Sequence, residues 1–214
     1  MIVRRFPVGA FQENTFLVVD ETTGHAVLVD PGADADRLIA AVRASGASLD
    51  GIWLTHAHVD HVGAIAAIKR VWNVPVRLHP LDRPLYDAAA EHGRVFGVQV
   101  EAPPSPELSV AGGDRVQVGT LTFDVMHVPG HSPGHVVYHG HGVAFAGDCL
   151  FAGSIGRTDL PLSDPAVFGR SLERICALGD DVVIYPGHGP ETTIGAELRT
   201  NPFLAGLRAH KATS

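Results

Sequence analysis

Apolar residues along this chain fall into short runs separated by polar turns and by stretches of helical spacing. Asn14–Asp20 and Ala26–Asp30 read as strands flanking Glu21-Thr22-Thr23-Gly24, a hairpin turn of the longer kind. A helix follows, with Asp34 as its candidate cap, Leu38, Ile39 and Val42 as its apolar stripe, and Gly46 closing it. Gly51-Ile52-Trp53-Leu54 is a further strand, and Val62–Trp72 is helical, with Ile65, Ile68, Val71 and Trp72 in register. Ala102-Pro103-Pro104-Ser105-Pro106 interrupts the pattern. Beyond it the spacing predicts strands at Val116–Val118, Leu121–Val128, His135–His139 and Val143–Ala146, a helix near Asp164–Leu178, a strand at Val182–Tyr185 and a last helix from about Glu191. Strands grouped in each half with helices outside predict an α/β (α+β) fold in which two packed sheets form a helix-sheet-sheet-helix sandwich. The expected organisation is one domain over residues 1–214, with two αβ halves joined near residues 102–107.

Composition narrows the function. With 214 residues, 45% hydrophobic and 18% charged, the chain reads as a soluble globular protein long enough to bury a substantial core. A net charge of −7 without clustered Lys or Arg argues against a nucleic-acid partner and for a small molecule. No apolar stretch is long enough to span a bilayer, and Met1-Ile2-Val3-Arg4-Arg5-Phe6-Pro7 lacks the apolar centre of a signal peptide, so no membrane partner is expected and the cytoplasm is the expected location. The two cysteines, Cys149 and Cys176, are too few for a disulfide framework and read as ordinary reduced thiols.

The chemistry gathers at strand ends. Thr55-His56-Ala57-His58-Val59-Asp60-His61 follows Gly51–Leu54 directly, and three later apolar runs end in a glycine turn with a further donor: Val128-Pro129-Gly130-His131, Ala144-Phe145-Ala146-Gly147-Asp148 and Val183-Ile184-Tyr185-Pro186-Gly187-His188. In an extended turn alternate side chains point the same way, so His56 and His58 can converge on one ion, while Asp60 and His61 point elsewhere once the chain turns into a helix. His131 can complete the first pair and His188 the second. Asp148, with two carboxylate oxygens, can bridge both ions and serve the catalysis with Asp60. Five imidazoles and two carboxylates without a thiolate describe a pair of divalent ions, with zinc the first choice and iron or manganese the alternatives. Seven donors shared by two ions leave open positions, as in catalytic rather than structural sites. His139 and His141, around Gly140, read as solvated turn residues, while His25, His79, His92, His127 and His210 stand alone. His135 reads as a packed core histidine.

These residues resemble the metallo-β-lactamase superfamily, whose HxHxDH motif stands here as His56 to His61. The resemblance covers essentially the whole chain, and within the superfamily the chain is similar to the short, single-domain bacterial glyoxalase II-like hydrolases, through Pro129-Gly130-His131-Ser132-Pro133-Gly134-His135, Gly147-Asp148-Cys149-Leu150-Phe151, Gly153-Ser154-Ile155-Gly156-Arg157-Thr158-Asp159 and Pro186-Gly187-His188-Gly189-Pro190. It implies an αββα sandwich and a dinuclear site, with His56, His58 and His131 on one ion, Asp60, His61 and His188 on the other, and Asp148 between them. Arg157 matches the position of a basic contact to the glycine carboxylate of glutathione. Two departures stand out: no glyoxalase II helical C-terminal domain follows, and Pro190 takes the place of a tyrosine that contacts glutathione in the larger enzymes.

Two ions sharing a carboxylate and a water would bring that water to hydroxide near neutral pH. No separate general acid accompanies the donors, which suits a leaving group that departs as an anion, and a thiolate, with a thiol pKa of about 8.5, is one. The expected activity is therefore hydroxide attack on a thioester, as in a hydroxyacylglutathione hydrolase that releases D-lactate and glutathione from S-lactoylglutathione, with Asp60 orienting the nucleophile. The competitors are a persulfide dioxygenase using a subset of the donors around one iron, another hydrolase of the same fold (lactonase, phosphodiesterase or β-lactamase) and a noncatalytic metal-binding module. His135 and Leu160-Pro161 favour the hydrolase over the oxygenase, whose family has cysteine and Phe-Gln at these places.

Overall fold

The computed structural model describes residues 1–206 and holds two six-stranded sheets; His210 lies outside the described residues. The first sheet takes β1 (Ile2–Val8), β2 (Glu13–Asp20), β3 (His25–Val29), β4 (Ser48–Trp53), β5 (Val76–Leu78) and β6 (Leu108–Ser109) in that spatial order. Its first three strands run antiparallel and the rest join in parallel. Between its strands lie α1 (Ala35–Ser45), α2 (Val59–Val62), α3 (Ile65–Val71), α4 (Arg83–Asp87) and α5 (Ala89–Val95). The second half supplies β7 (Arg115–Val118), β8 (Leu121–His127), β9 (Val136–Gly140), β10 (Val143–Gly147), the hairpin β11 (Leu150–Phe151) and β12 (Ser154–Ile155), α6 (Pro165–Cys176), β13 (Val183–Pro186), β14 (Thr192–Thr193) and α7 (Ile194–Thr200). Its sheet runs β14-β13-β10-β9-β8-β7, with only the β10–β13 pair parallel.

Strand β2 shows why the sheets stack. All of its residues are buried, and because successive side chains point to opposite faces, Leu17 and Val19 enter one core while Phe16 and Val18 enter another. The first core joins the sheet to α1 and α3 through Leu38, Val42, Ile65 and Ile68. The second lies between the sheets and is aromatic, with Phe16 against Phe145 at 5.6 Å and Trp53 against Tyr138 at 5.2 Å. Such pairs contribute about 0.5–1.5 kcal/mol each beyond the area they bury. A third core packs the outer face of the second sheet on α6 and α7 through Ala144, Ile184, Phe168, Leu172, Ile175 and Leu198. The result is helix, sheet, sheet, helix.

Helix α6 follows from its sequence. The Asp164 carboxylate accepts from the amides of Ala166 and Val167, Pro165 opens the first turn, and Phe168, Leu172, Ile175 and Cys176 form the buried stripe. Helix α1 closes on Gly46 at φ 70° as expected, but Asp34 does not cap it: the residue is itself left-handed (φ 51°), and its carboxylate accepts from the amide of Gly9 instead. The helix expected over Val62–Trp72 is two pieces. It starts at Val59, breaks around Gly63 and Ala64, and ends at Val71, with Trp72 extended and Val71 exposed at the surface. The sheets also change later than the Pro-rich run suggests, because β6 still pairs with β5 in parallel and the second sheet begins only at Arg115. No described helix is long and apolar enough to cross a membrane.

Candidate metal centre

The strand β3 ends at Val29 and hands over to Asp30, a non-glycine residue in left-handed conformation (φ 49°). Its buried carboxylate turns across to the end of β4, where Oδ1 accepts from the Thr55 amide at 2.7 Å and Oδ2 from the Thr55 hydroxyl at 2.6 Å. Strand β9 fixes the same point from the other sheet: the Val136 amide donates to the Thr55 carbonyl at 2.8 Å and the Tyr138 hydroxyl to the Leu54 carbonyl at 2.9 Å. From this anchor the chain stays extended through His58 (φ −65°, ψ 153°) and then turns into α2, which carries Asp60 and His61. The β10 turn requires glycine, since Gly147 sits at φ 48° with Thr55 against its missing Cβ, and Gly187 lies directly against the Asp148 carboxylate.

The structure brings all seven sequence-predicted donors together. Ligand atoms of His56, His58 and His131 form one group and those of Asp60, His61 and His188 another, each within 4.8 Å of one another. Asp148 lies between them, 3.4 Å from His61 Nε2, 3.5 Å from His131 Nε2 and 3.6 Å from His188 Nε2. Three imidazoles have their outer nitrogen occupied. His131 Nδ1 donates to the Arg157 carbonyl at 2.7 Å and His61 Nδ1 to Asp30 Oδ2 at 3.1 Å. His56 Nδ1 lies 3.1 Å from the Thr55 hydroxyl, whose own proton goes to Asp30. The inner Nε2 of His56 and of His131 is thereby left with a lone pair turned into the site, and His61 Nε2 faces the same space, the usual arrangement behind metal ligands.

The arrangement fits a pair of cations. Among the described residues, the buried side-chain atoms without a hydrogen-bond partner include His56 Nε2, His61 Nε2 and Asp148 Oδ1, all aimed at the same space. His58 Nδ1 and His131 Nε2 face each other at 2.9 Å. Burial holds the His56 imidazole well below its ordinary range, and the neighbouring rings add to this. Burial and then His131 bring His58 down to about 3. Neutral imidazole is the form that binds a metal. Around the second group carboxylates dominate: burial opposes charge on His61, yet Asp148 and Asp60 outweigh it and raise this group well above the ordinary range. Burial likewise opposes ionisation of Asp60 and Asp148, and His61 overrides it, holding both below the usual carboxylate range. Lone pairs meet on one side and negative charge on the other, as a divalent pair requires.

Several supporting residues carry no signal in the sequence pattern. Asp82, fully buried, accepts from the Ala57 amide at 3.1 Å, the Ser132 hydroxyl at 2.7 Å and the Gly134 amide at 2.5 Å, so one carboxylate clamps the loops bearing His56, His58 and His131. The Asn14 side-chain amide donates to the carbonyls of Pro186 at 3.0 Å and Gly189 at 2.8 Å, tying the His188 turn to β2. Asp30 does have a readable mark, since it ends an apolar run before Pro31-Gly32, much as Asp148 ends another. His135 is wholly buried, stacked on His56 at 4.7 Å, and accepts from the Asp148 amide at 3.1 Å. The isolated histidines fare differently. His25 pairs with Asp50 at 2.8 Å, His79 stacks on His127 at 4.2 Å, and His139 is half-buried in β9 rather than solvated in a turn. His141, by contrast, is exposed at φ 53°. Cys149 and Cys176 are buried and form no disulfide among the described residues.

His56 and His61 are sealed off, whereas His58, Asp60, His131, Asp148 and His188 line a cleft of 470 Å³. Arg157 is on its edge, exposed, with its guanidinium bonded in bidentate fashion to Asp159 at 2.7 and 2.8 Å.

A family model described as metallo-beta-lactamase superfamily matches residues 8–188. The chain belongs to the metallo-beta-lactamase superfamily. Hydroxyacylglutathione hydrolase GloC of Haemophilus influenzae is 37% identical, over 95% of this chain and 98% of its own length. Among solved metallo-beta-lactamase-fold structures, TTHA1623 in a di-iron-bound form superposes with a TM-score of 0.89 at 44% identity, covering 94% of this chain and all of that one. ETHE1 from Myxococcus xanthus superposes at 0.80 with 30% identity, covering 96% of this chain and 85% of its own. Family and site together make this protein a metal-dependent hydrolase of the metallo-beta-lactamase fold.

Proposed function

We propose that this hydrolase cleaves glutathione thioesters, with S-lactoylglutathione as the reference substrate, to a free acid and glutathione. The observation that carries the reading is the pair of donor groups sharing Asp148 at the floor of one cleft. His56, His58 and His131 would hold one ion and Asp60, His61 and His188 the other, with zinc proposed and iron or manganese as alternatives. When bound, such a pair supplies Lewis acidity toward a carbonyl and an acidified water.

The chain's own groups then have distinct tasks. Asp148 is shared between the two donor groups, and Asp60, which opens onto the cleft with its carboxylate 3.2 Å from His188 Nε2, orients the water by accepting a hydrogen bond from it, the water's proton passing to solvent in the cleft. The water oxygen bonds to the thioester carbon, the carbon–sulfur bond breaks, and sulfur leaves as a thiolate. No further acid is needed, because a thiol's pKa of about 8.5 makes the thiolate a competent leaving group. Arg157 is proposed to hold the carboxylate of the thiol carrier through charge-assisted hydrogen bonds. The likeness to Haemophilus influenzae GloC supports the substrate class. A reducing compartment suits two buried thiols, so the cytoplasm is proposed as the location.

Metal-loaded protein should release free thiol from S-lactoylglutathione under anaerobic conditions. A second reading, persulfide dioxygenase, draws on the likeness to ETHE1. It leaves the Asp60, His61 and His188 group without a task, since one iron needs only a subset of the donors. Oxygen uptake with glutathione persulfide, together with no thiol release from any acyl-glutathione, would replace the first reading by the second.

A further inference from the structure

Resting on the thioester-hydrolase reading, we propose that the cleft contains a subsite for an apolar acyl group, walled by Phe11 and Phe96, so that thioesters of hydrocarbon or aryl acids are turned over in preference to hydroxyacyl ones. Beside the metal donors, His92 and Arg157 are the only polar residues lining the cleft among the described residues. All the others are apolar. Phe11, in the β1–β2 connection, and Phe96, at the end of α5, meet edge to face at 6.0 Å and 88°. They are 39% and 53% exposed, and Val95 beside them is 75% exposed. Exposed apolar side chains clustered in this way mark a binding surface.

The occupant follows from what adjoins the cluster. The same cleft contains the five open donors, and Phe151 on another part of its wall packs against the His188 ring at 6.0 Å. Whatever covers the aromatic pair is therefore continuous with the reacting group. Charge does not favour an acidic acyl chain: among the described residues Arg157 is the only Lys or Arg lining the cleft, and it is already paired with Asp159. One cation suits one carboxylate on the thiol carrier and leaves none for the acyl end. Against the rings of Phe11 and Phe96 a hydroxyl would lose water without gaining a partner from either side chain, whereas methylenes gain by burial; His92 is the one polar group besides Arg157 and the metal donors that the cleft offers among the described residues.

The test is an acyl series on glutathione (acetyl, lactoyl, butanoyl, hexanoyl, phenylacetyl) with the metal-loaded full chain, alongside calorimetric binding of the thioethers S-methyl- and S-hexylglutathione. A fully buried methylene is worth about fourfold, so in an open cleft kcat/KM should rise at least about tenfold from acetyl to hexanoyl, and lactoyl should fall below butanoyl. S-Hexylglutathione should bind correspondingly tighter than S-methylglutathione. Phe11→Ser with Phe96→Ser should bring the hexanoyl-to-acetyl ratio near one, and Phe→Leu at both positions should restore most of it. A flat series in both turnover and binding overturns the subsite, as does a chain-length effect that the double Ser variant leaves intact. So does concentration-dependent self-association that the double Ser variant abolishes without any chain-length effect, which would assign the patch to a second copy of this chain. If no thioester is cleaved while the thioethers still bind in order of length and lose that order in the Ser variant, the subsite stands and the hydrolase reading falls.

Discussion

Asp60 carries two tasks in the proposed site, holding one ion and steering the nucleophile, and its geometry lets them be tested together. Its carboxylate is hydrogen-bonded to His188 and opens onto the cleft. Asp60→Asn keeps the shape and removes the charge, so kcat for S-lactoylglutathione should fall by about 10²–10⁴ in protein checked for metal content. A kcat within a few-fold of wild type would remove Asp60 from the mechanism. Arg157 is a weaker lever, because Asp159 competes for its guanidinium. Arg157→Ala should raise KM for a glutathione thioester more than for an uncharged thioester of the same acyl group, and equal effects on both would reject the carboxylate contact. At this scale the sequence was most legible where a donor ends an apolar run. Asp82 and Asn14 were illegible for a physical reason: a side chain that serves the backbone of a distant loop leaves no periodicity behind it.

Among the elements, the turn that starts at His79 and leads into α4 deserves a stability argument, because it delivers Asp82. Asp82→Ala would leave the amides of Ala57 and Gly134 without their buried partner, a loss of about 1–3 kcal/mol for each such group. It should lower Tm and weaken binding at the His56, His58 and His131 group by about 10–100-fold, as the loss of supporting hydrogen bonds does at other metal sites. Unchanged metal affinity would show that the two loops hold themselves. His79 in the same turn is held down to about 4, by burial first and by the His127 ring second. Above its ordinary 6.5 both folded and unfolded forms are neutral; below it the unfolded chain takes up a proton that the folded chain refuses. Stability from this residue is therefore lost as the pH falls from 6.5 through 4. His79→Asn retains an acceptor for the Leu81 amide and should show a smaller drop in Tm between pH 7 and pH 4.5 than wild type; parallel curves would contradict it. Strands buried on one or both faces were readable from their runs. Edge strand β1, with Arg4 and Arg5 outward, and the two- and three-residue parallel strands β5 and β6 were not, since each is too short or too polar to show a period.

Over the whole molecule, the layered plan was legible because each half repeats one arrangement: apolar strands, then a donor at a glycine turn. What the sequence left open was how the halves lock, and the structure answers with contacts that cross between them. The Tyr138 hydroxyl holds the end of β4, Asn14 holds the His188 turn, and Asp82 joins the first motif to the His131 loop. These contacts are why donors as far apart in sequence as His61 and His188 can share one carboxylate. The central claim is that this shared site takes two ions. Elemental analysis of protein loaded with zinc and then freed of excess metal tests it most directly. The wild type should retain two ions per chain and Asp148→Ala should be depleted at both positions, whereas one ion per chain in the fully loaded wild type would contradict the dinuclear site.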